Sequence, residues 1–231
     1  SVAALVVQIW LSALRWHLTA QALGTPVARG WALAEYHLAV LGNTLLPGGV
    51  LGDVARTARA RGAMGGWRAA AASVMMERLA GQIALMAVAI GGSCWWLGAQ
   101  IGAVSLAVAL WLGSGMVVVA LVWAAPRGWR ALARRAWGPH LRAQLGLSAL
   151  VLGCNLLGVW AAASALGLTL GLAQALFVIP LTLLAMLVPL TVNGWGLREG
   201  LAAALWPMIG IAPADAVAAS IAFGLAALAA A

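Results

Sequence analysis

Long apolar runs recur along this chain from its first residue to its last, and short stretches rich in Gly, Pro and Arg separate them. The cleanest runs lie at 1–23, 69–97, 101–124, 145–167 and 213–231, close to the roughly 20 residues that a transmembrane helix needs. The runs are continuous and rich in Leu and Ala, which excludes the alternating strands of an outer-membrane β-barrel. The pattern predicts an all-α fold, a polytopic transmembrane helix bundle.

Two further apolar segments are too short or too broken for simple crossings. The first, at 31–46, ends at a Pro-Gly-Gly turn, 47–49. The second, at 172–192, contains two prolines and leads into an Asn-Gly-Trp-Gly turn, 193–196, before a short apolar piece. Pro lacks a backbone donor and Gly accepts positive φ, so helices should break at both turns. We expect two re-entrant or broken helical hairpins, each buried in protein or lining a cavity.

Composition supports a single transmembrane domain over 1–231. Of the 231 residues, 65% are hydrophobic and 8% are charged, whereas soluble domains carry about 25% charged residues. So few charges cannot cover a soluble surface, and the recurring apolar runs exclude a signal peptide followed by a soluble body. The number of apolar residues is sufficient for at most about seven transmembrane helices. Because Ser1 lies inside an apolar run, we expect further residues before it in the full protein.

Arginine makes the chain basic. There are 13 Arg, no Lys and five acids, for a net charge of +8. Nine of the Arg lie in 53–68 and 125–144, and short cytoplasmic loops collect such charge. The excess of Arg therefore predicts the orientation of the protein in a bacterial inner membrane, with both segments on the cytoplasmic side. It does not indicate a nucleic-acid partner. The two broken hairpins then enter from opposite sides, so half-repeats of about 1–98 and 101–231 are one interpretation and chance placement of Gly and Pro is the other.

Six charged residues lie beside the predicted breaks or at a helix start: Asp53, Arg56, Glu77, Arg78, Arg198 and Glu199. They sum to zero, as ionisable groups in a low-dielectric interior should. Asp53 and Arg56 are three residues apart and should pair on one helix face. Adjacent residues point in different directions, so we expect the 77–78 pair to meet the 198–199 pair across the bundle. The alternative is that these charges only mark membrane interfaces.

The remaining twelve charges are expected on loops and rims. Arg15, with Trp16 and His17, resembles an interfacial anchor at the end of the first span, and Glu35 belongs to the same peripheral set. The basic segment 125–144 is either a surface helix attracted to anionic lipid or simple positive-inside charge.

The broken helix ends suggest a binding chemistry. A helix start favours anions, and Arg forms bidentate contacts with phosphate oxygens. With Arg56 or Arg198 nearby, each break is expected to hold a lipid phosphate, and a purely structural turn is the alternative. No pattern for a metal or cofactor is found, since the three His are isolated and the two Cys lie in separate apolar runs. No Ser/His/Asp set or Walker loop indicates an enzyme.

Three ordered motifs carry a family resemblance. They are Asn43-Thr-Leu-Leu-Pro47-Gly48-Gly49-x-x-Gly52-Asp53-x-x-Arg56, then Glu77-Arg78-x-x-Gly81, and Pro189-x-x-x-Asn193-Gly194-Trp195-Gly196-x-Arg198-Glu199. Together they resemble the lysylphosphatidylglycerol synthase transmembrane-region family, over nearly the whole chain from about Arg15. The resemblance implies a flippase-like membrane protein that moves lipids between leaflets or handles polyprenyl- or amino-acid-modified lipids.

The combined interpretation is a lipid flippase or transporter for an anionic or polyprenyl-type lipid, with no cofactor and no metal. Membrane lipids, through an anionic headgroup or lipid phosphate, are the expected partners, and self-association as a homo-oligomer stays open. Movement should be downhill or ion-coupled, because no ATPase motif is found.

Arg56, Arg78 and Arg198 are expected to contact the headgroup, and the neighbouring acids to pair with them when the site is empty. The alternatives are a membrane-embedded enzyme or accessory subunit acting on lipid-linked substrates, and a scaffold subunit. The candidate lipid-binding residues are Asn43, Pro47, Gly48, Gly49, Asp53, Arg56, Glu77, Arg78, Asn193, Gly194, Trp195, Arg198 and Glu199.

Overall fold

The computed structural model of the chain is a helical bundle, and it describes residues 1–46, 49–100, 127–187, 191 and 194–231. Among these residues, four helical segments are long and apolar enough to cross a membrane: Val2–Ala22, Trp67–Gln100, Arg127–Ala165 and Pro213–Ala230. The predicted fold class, an all-α polytopic membrane protein, is confirmed. The expected span at 101–124 lies outside the described residues, as do Pro47, Gly48, Pro189 and Asn193.

The described helices follow one another with few interruptions. In chain order they are α1 (Val2–Ala22), α2 (Arg29–Leu45), α3 (Leu51–Ala60), α4 (Trp67–Gln100), α5 (Arg127–Trp137), α6 (Leu141–Ala165), α7 (Leu172–Leu184), α8 (Leu197–Leu205) and α9 (Pro213–Ala230). Short 3-10 turns occupy Gly138–His140, Ala185–Leu187 and Trp206–Ile209. The third candidate span therefore comprises α5 and α6 and includes the basic segment at its start.

Helix α1 is the central element of the bundle, in contact with α2, α4, α5, α6 and α9. Its buried apolar positions recur three and four residues apart, at Leu5, Ile9, Ala13, Trp16 and Ala20, which is the spacing of one helix face. Polar side chains also point inward from α1 and meet α6, where Gln144 donates to the Thr19 hydroxyl at 2.9 Å. Such hydrogen bonds help to hold membrane helices together, because the surrounding lipid is as apolar as the helices and provides no hydrophobic driving force for their association.

Helix α3 forms within the polar stretch that follows the first break. Its buried residues include Gly52, Asp53, Arg56 and Ala60, so one face of this polar helix is directed into the protein. Helices α2 and α3 pack on each other, and Gly52 makes this possible, because a Cβ there would lie 1.9 Å from the Ala39 carbonyl oxygen. The two helices on either side of the first break therefore form a closely packed pair, α2–α3.

The second break, like the first, lies between two helices that pack on each other. Helix α7 continues through Pro180 and ends at Leu184, and α8 begins at Leu197 and packs on α7. Gly92 of α4 lets α7 approach closely, since a Cβ at Gly92 would lie 1.8 Å from the Leu176 carbonyl oxygen. Each half of the chain thus contains one interrupted helix pair, α2–α3 and α7–α8. The re-entrant course and the inverted repeat stay predictions.

Candidate functional site

Five charged side chains, four of them buried, join α1, α3 and α4; this central cluster consists of Arg15, Asp53, Arg56, Glu77 and the partly exposed Arg78. Glu77 is its hub. Glu77 Oε1 accepts hydrogen bonds from Arg15 Nη2 at 2.6 Å and from Arg15 Nε at 3.2 Å. The same oxygen accepts from the Tyr36 hydroxyl at 3.1 Å, and Glu77 Oε2 lies 3.4 Å from Arg56 Nη2. One carboxylate of α4 thus contacts two cationic side chains and one phenol, and links α4 to α1, α2 and α3.

Asp53 is the second acid of the central cluster. Asp53 Oδ1 accepts from Arg56 Nη2 at 2.8 Å, which confirms the predicted pairing of these two residues on one helix face. Asp53 Oδ2 accepts from Asn43 Nδ2 at 2.9 Å and forms an ion pair with Arg78. The carboxylate therefore holds α3 to both α2 and α4.

Arg56 lies in the middle of the cluster and is fully buried, with 0% of its surface exposed. Its guanidinium carbon is 4.5 Å from the ring centroid of Trp16 and 4.5 Å from that of Tyr36. Cation–π attraction from two aromatic faces stabilises a cation that water cannot reach. Arg56 Nε and Nη1 make no hydrogen bond with the described residues. Buried donors of this kind cost free energy until a partner arrives.

Arg15 corrects one expectation from the sequence. It is not an interfacial anchor: it is 3% exposed, pairs with Glu77, and donates from Nη1 to the Ser148 hydroxyl of α6 at 3.1 Å. The cluster therefore contains three Arg and two acids, and its formal charge is +1 (3 − 2). The neutral set of six expected from the sequence is in fact a cluster with one excess positive charge and a separate neutral pair, Arg198 and Glu199.

A pattern of polar residues in the sequence indicates that Arg15 is buried, although its position near the end of an apolar run suggests an interfacial anchor. Four polar residues of α1 are spaced four, three and four apart: Gln8, Ser12, Arg15 and Thr19. That spacing places them on one helix face. Helix α6 carries Gln144 and Ser148, four apart, and these two contact the stripe on α1. Two facing polar stripes in apolar helices indicate a buried polar interface.

A cavity of about 190 Å³ lies beside the central cluster, between α1, α4, α6 and α7. Arg78 opens onto it, since 41% of the Arg78 side chain is exposed although it pairs with Asp53. Gly49, from the predicted first break, also lines the cavity. The polar part of the wall includes Gln8, Ser12, Arg15, Gln82 and Asn155, and the apolar part includes Leu85, Leu152, Leu183 and Met186. The cavity is thus polar and cationic on one side and apolar on the other.

Arg198, which is buried, and Glu199, which is partly buried, form a second ion pair, with Arg198 Nη2 at 2.8 Å from Glu199 Oε1. This corrects the expected pairing of 77–78 with 198–199, because the two adjacent residues pair with each other. Both side chains converge on α9, where the Ser220 hydroxyl accepts from Arg198 Nε and donates to Glu199, at 2.9 Å in each case. Arg198 is 1% exposed and lies 5.4 Å from the Trp195 ring and 5.3 Å from the Phe223 ring.

Glu199 is held in its charged form at the start of α8. Partial burial disfavours the carboxylate, but the Arg198 guanidinium outweighs that effect, helped by the Gly196 N–H at 2.5 Å and by Ser220. The pKa of Glu199 is therefore lowered from its ordinary value. Arg198 Nη1 makes no hydrogen bond within the described chain.

The helix starts at both breaks are capped by the protein's own side chains. The Gly52 N–H donates to Asn43 Oδ1 at 2.8 Å, and the Gly196 N–H donates to Glu199. These two N–H groups are therefore not available to a phosphate, because Asn43 and Glu199 already accept from them. Gly194 has a φ of +82° and packs against Met186, which lines the cavity.

Glu35 is also not a rim charge. It is 6% exposed and accepts from Arg59 Nε at 2.6 Å, which ties α2 to α3. Among the described residues, His, Cys, Asp and Glu form no group of three or more that could hold a metal ion. The ionic chemistry of the cavity wall is therefore that of guanidinium groups beside neutral amides and hydroxyls.

The whole chain, residues 1–231, matches the family model described as the lysylphosphatidylglycerol synthase TM region. No curated protein and no solved structure matches it significantly. The match agrees with the motif resemblance and with the apolar helices, and it connects this membrane protein with lipid handling. The chain therefore belongs to the lysylphosphatidylglycerol synthase transmembrane-region family.

Proposed function

We propose that this protein is a lipid transporter whose central cavity binds the anionic headgroup of a membrane lipid. The observation that carries the proposal is the +1 charge of the central cluster, which Arg78 presents to the cavity. A buried excess charge is unfavourable without a counterion, and an anionic headgroup supplies one. The lipid-related family supports a membrane lipid as the substrate.

The size of the cavity limits what enters it. Its volume of about 190 Å³ is below the ~300–1,000 Å³ of pockets that enclose drug-sized ligands. It therefore accommodates a headgroup, and the acyl or polyprenyl chains remain in the bilayer. The apolar wall formed by Leu85, Leu183 and Met186 is suited to the first methylene groups below the phosphate.

The contribution of both interrupted helix pairs to the wall of the cavity is the basis for the transport step. Gly49 follows α2 and Met186 follows α7, so both pairs contribute to its wall. In membrane transporters, broken helices near the midplane form sites that open alternately to each side. We infer that α2–α3 and α7–α8 move relative to the bundle and expose Arg78 to one leaflet at a time. In the Arg-rich segments 53–68 and 125–144, exposed arginines such as Arg61 and Arg127 would face the cytoplasm of a bacterial inner membrane.

Reconstitution tests this proposal directly. Proteoliposomes containing the full chain and a trace of phosphatidylglycerol labelled on its acyl chain would be assayed for label that becomes accessible to an added quencher. We expect Arg78→Gln to slow translocation at least tenfold. Arg142→Gln is the matched control, because Arg142 is an exposed arginine outside the cavity. Normal translocation by Arg78→Gln, with the variant eluting as the parent protein does in gel filtration, would contradict the role of Arg78.

A further inference from the structure

We infer that a groove between α1 and α2 holds a resident membrane phospholipid, with one acyl chain along α1 and its phosphate at Arg29. The groove has a volume of about 460 Å³. Its apolar wall on α1 is formed mainly by Val6, Val7, Trp10, Leu11 and Leu14. The site is separate from the central cavity, so the inference goes beyond the proposed function and does not depend on it.

The groove and the central cavity lie on different faces of α1. The cavity is lined from α1 by its polar stripe, which includes Ser12 and Arg15. The groove is lined by apolar residues such as Val7, Trp10 and Leu14. With 3.6 residues per turn, these two sets of side chains point roughly 130° apart around the helix axis. A lipid in the groove therefore leaves the central cavity free.

The length of the groove matches one leaflet of a bilayer. Val6 and His17 lie at opposite ends of its α1 wall, and eleven helical positions at 1.5 Å each separate them by about 16 Å. Half of a hydrocarbon core is about 15 Å thick. His17 lies less than two turns from the end of α1 at Ala22. The groove therefore runs from one edge of the membrane span to about its middle, as an acyl chain of one leaflet does.

Arg29 supplies a positive charge at the membrane-edge end of the groove. It is the first residue of α2, it is exposed, and it forms no ion pair with a described residue. None of the described residues that line the groove is acidic. Lipid tails are as apolar as the groove wall, so apolar contact alone does not fix a lipid there. The attraction comes from the guanidinium of Arg29, which suits a phosphate at the membrane surface.

Contacts between α1 and the start of α2 hold the shape of the groove. His17 donates from Nδ1 to the Val27 carbonyl oxygen at 2.7 Å, and the rings of Trp16 and Trp31 are 5.7 Å apart. Trp10 is 58% exposed and lies near the middle of α1, away from the membrane surface where exposed Trp is usually found. An acyl chain lying against the Trp10 ring covers this exposed face.

Photolabelling in proteoliposomes tests the inference without measuring transport. The vesicles contain the full chain, phosphatidylcholine and a trace of phosphatidylglycerol with a diazirine on its acyl chain, and labelled residues are mapped by mass spectrometry. We expect labelling of residues 6–14 to be about fivefold stronger than with a diacylglycerol that carries the same chain but no phosphate. Equal labelling by the two lipids would overturn the role of the phosphate. No labelling of residues 6–14 by either lipid would show that another apolar segment fills the groove, which would also overturn the inference.

Removing the charge at the end of the groove separates the contribution of Arg29 from general lipid contact. Arg29→Gln should lower the labelling of residues 6–14 by the phospholipid about fivefold. Arg68→Gln is the matched control, because Arg68 is an exposed arginine at the start of another span, α4, and lies outside the groove. It should keep the parent's labelling. Full labelling of an Arg29→Gln variant that elutes as the parent does would refute the pairing of the phosphate with Arg29.

Filling the groove gives an independent readout. Leu14→Trp places a larger side chain in the apolar wall and should reduce the labelling of residues 6–14. Leu150→Trp makes the same change at an exposed position of α6 and should leave that labelling as it is. Equal labelling in the two variants would show that the acyl chain does not lie in this groove.

Discussion

Arg15 of α1 and Glu77 of α4 form an ion pair of 2.6 Å between side chains that are 4% and 0% exposed. The pair connects residues 62 positions apart, and Arg15 also reaches Ser148 of α6. Three candidate membrane spans therefore meet at one guanidinium group. The pair supports the fold by joining these helices, and it keeps the Glu77 carboxylate occupied beside the cavity.

Glu77→Gln is expected to destabilise the protein severely. The substitution preserves the shape of the side chain but leaves Arg15 and Arg56 buried without the charge that pairs with them. Breaking a buried ion pair from one side typically costs about 3–5 kcal/mol. Thermal unfolding of the detergent-solubilised protein measures the loss. Glu35→Gln is the control, because its partner Arg59 is 40% exposed, and partly solvated pairs contribute about 1 kcal/mol or less. Equal losses in the two variants would contradict the special position of Glu77.

Gly52→Ala is expected to separate α3 from α2. The added methyl group would lie 1.9 Å from the Ala39 carbonyl oxygen and 2.8 Å from Asn43 Oδ1, so backbone has to move. Because Asp53 follows directly, the central cluster would be disturbed as well, and we expect a loss of more than about 2 kcal/mol. Gly62→Ala adds the same methyl group where nothing lies within 4 Å. Comparable stability of the two variants, measured by thermal unfolding, would show that α2 and α3 are not packed this closely.

The bundle could be predicted from the sequence because apolar runs of membrane-spanning length are a strong signal. The spans ending at Ala22 and beginning at Pro213 agree with the predicted runs to within one residue. Helix α3 was harder to recognise, because its buried face consists of Gly, Asp, Arg and Ala, which no hydropathy pattern marks as buried. The helix is held by contacts with α2 and α4 that lie far from it in sequence.

The candidate site could be predicted only in part. Charges beside helix breaks pointed to Asp53, Arg56, Glu77 and Arg78, and the structure brings these four together. The pairing partners depend on side-chain reach, so the sequence did not reveal that Arg198 and Glu199 converge on Ser220. The position of Arg15 near the end of an apolar run predicts an interfacial anchor, whereas its polar stripe faces α6. That error concealed the positive excess on which the function is argued.

Gly224→Ala is expected to disturb the second ion pair. A Cβ at Gly224 would lie 2.5 Å from Arg198 Nη2 and 2.9 Å from Trp195 Cζ2. Arg198 is almost fully buried, so the guanidinium cannot yield without losing Glu199 or the aromatic contacts. We expect lower thermal stability, although Ala normally stabilises a helix by about 0.5–1 kcal/mol relative to Gly.

Gly200→Ala is the matched control for this substitution. Gly200 lies in α8, two residues from Arg198, and nothing is found within 4 Å of a Cβ placed there. It should show the ordinary gain of about 0.5–1 kcal/mol from replacing Gly in a helix. A gain of similar size in Gly224→Ala would mean that α9 does not approach Arg198 as closely as the structure indicates.

The stability contributed by Glu199 should be lost in acid. Its pKa in the folded protein lies below its ordinary value of 4.5, so the unfolded chain takes up a proton at a higher pH than the folded chain does. The contribution is therefore complete above about pH 4.5 and is lost as the pH falls through the lower folded value. Thermal unfolding between pH 7 and pH 3 should show a smaller acid-induced loss for Glu199→Gln than for the parent protein.

Asp215→Asn removes an exposed carboxylate from the first turn of α9 and leaves the Arg198–Glu199 pair intact. That variant should retain the parent's loss, and an unchanged acid response in Glu199→Gln would show that the pair with Arg198 contributes nothing to folding.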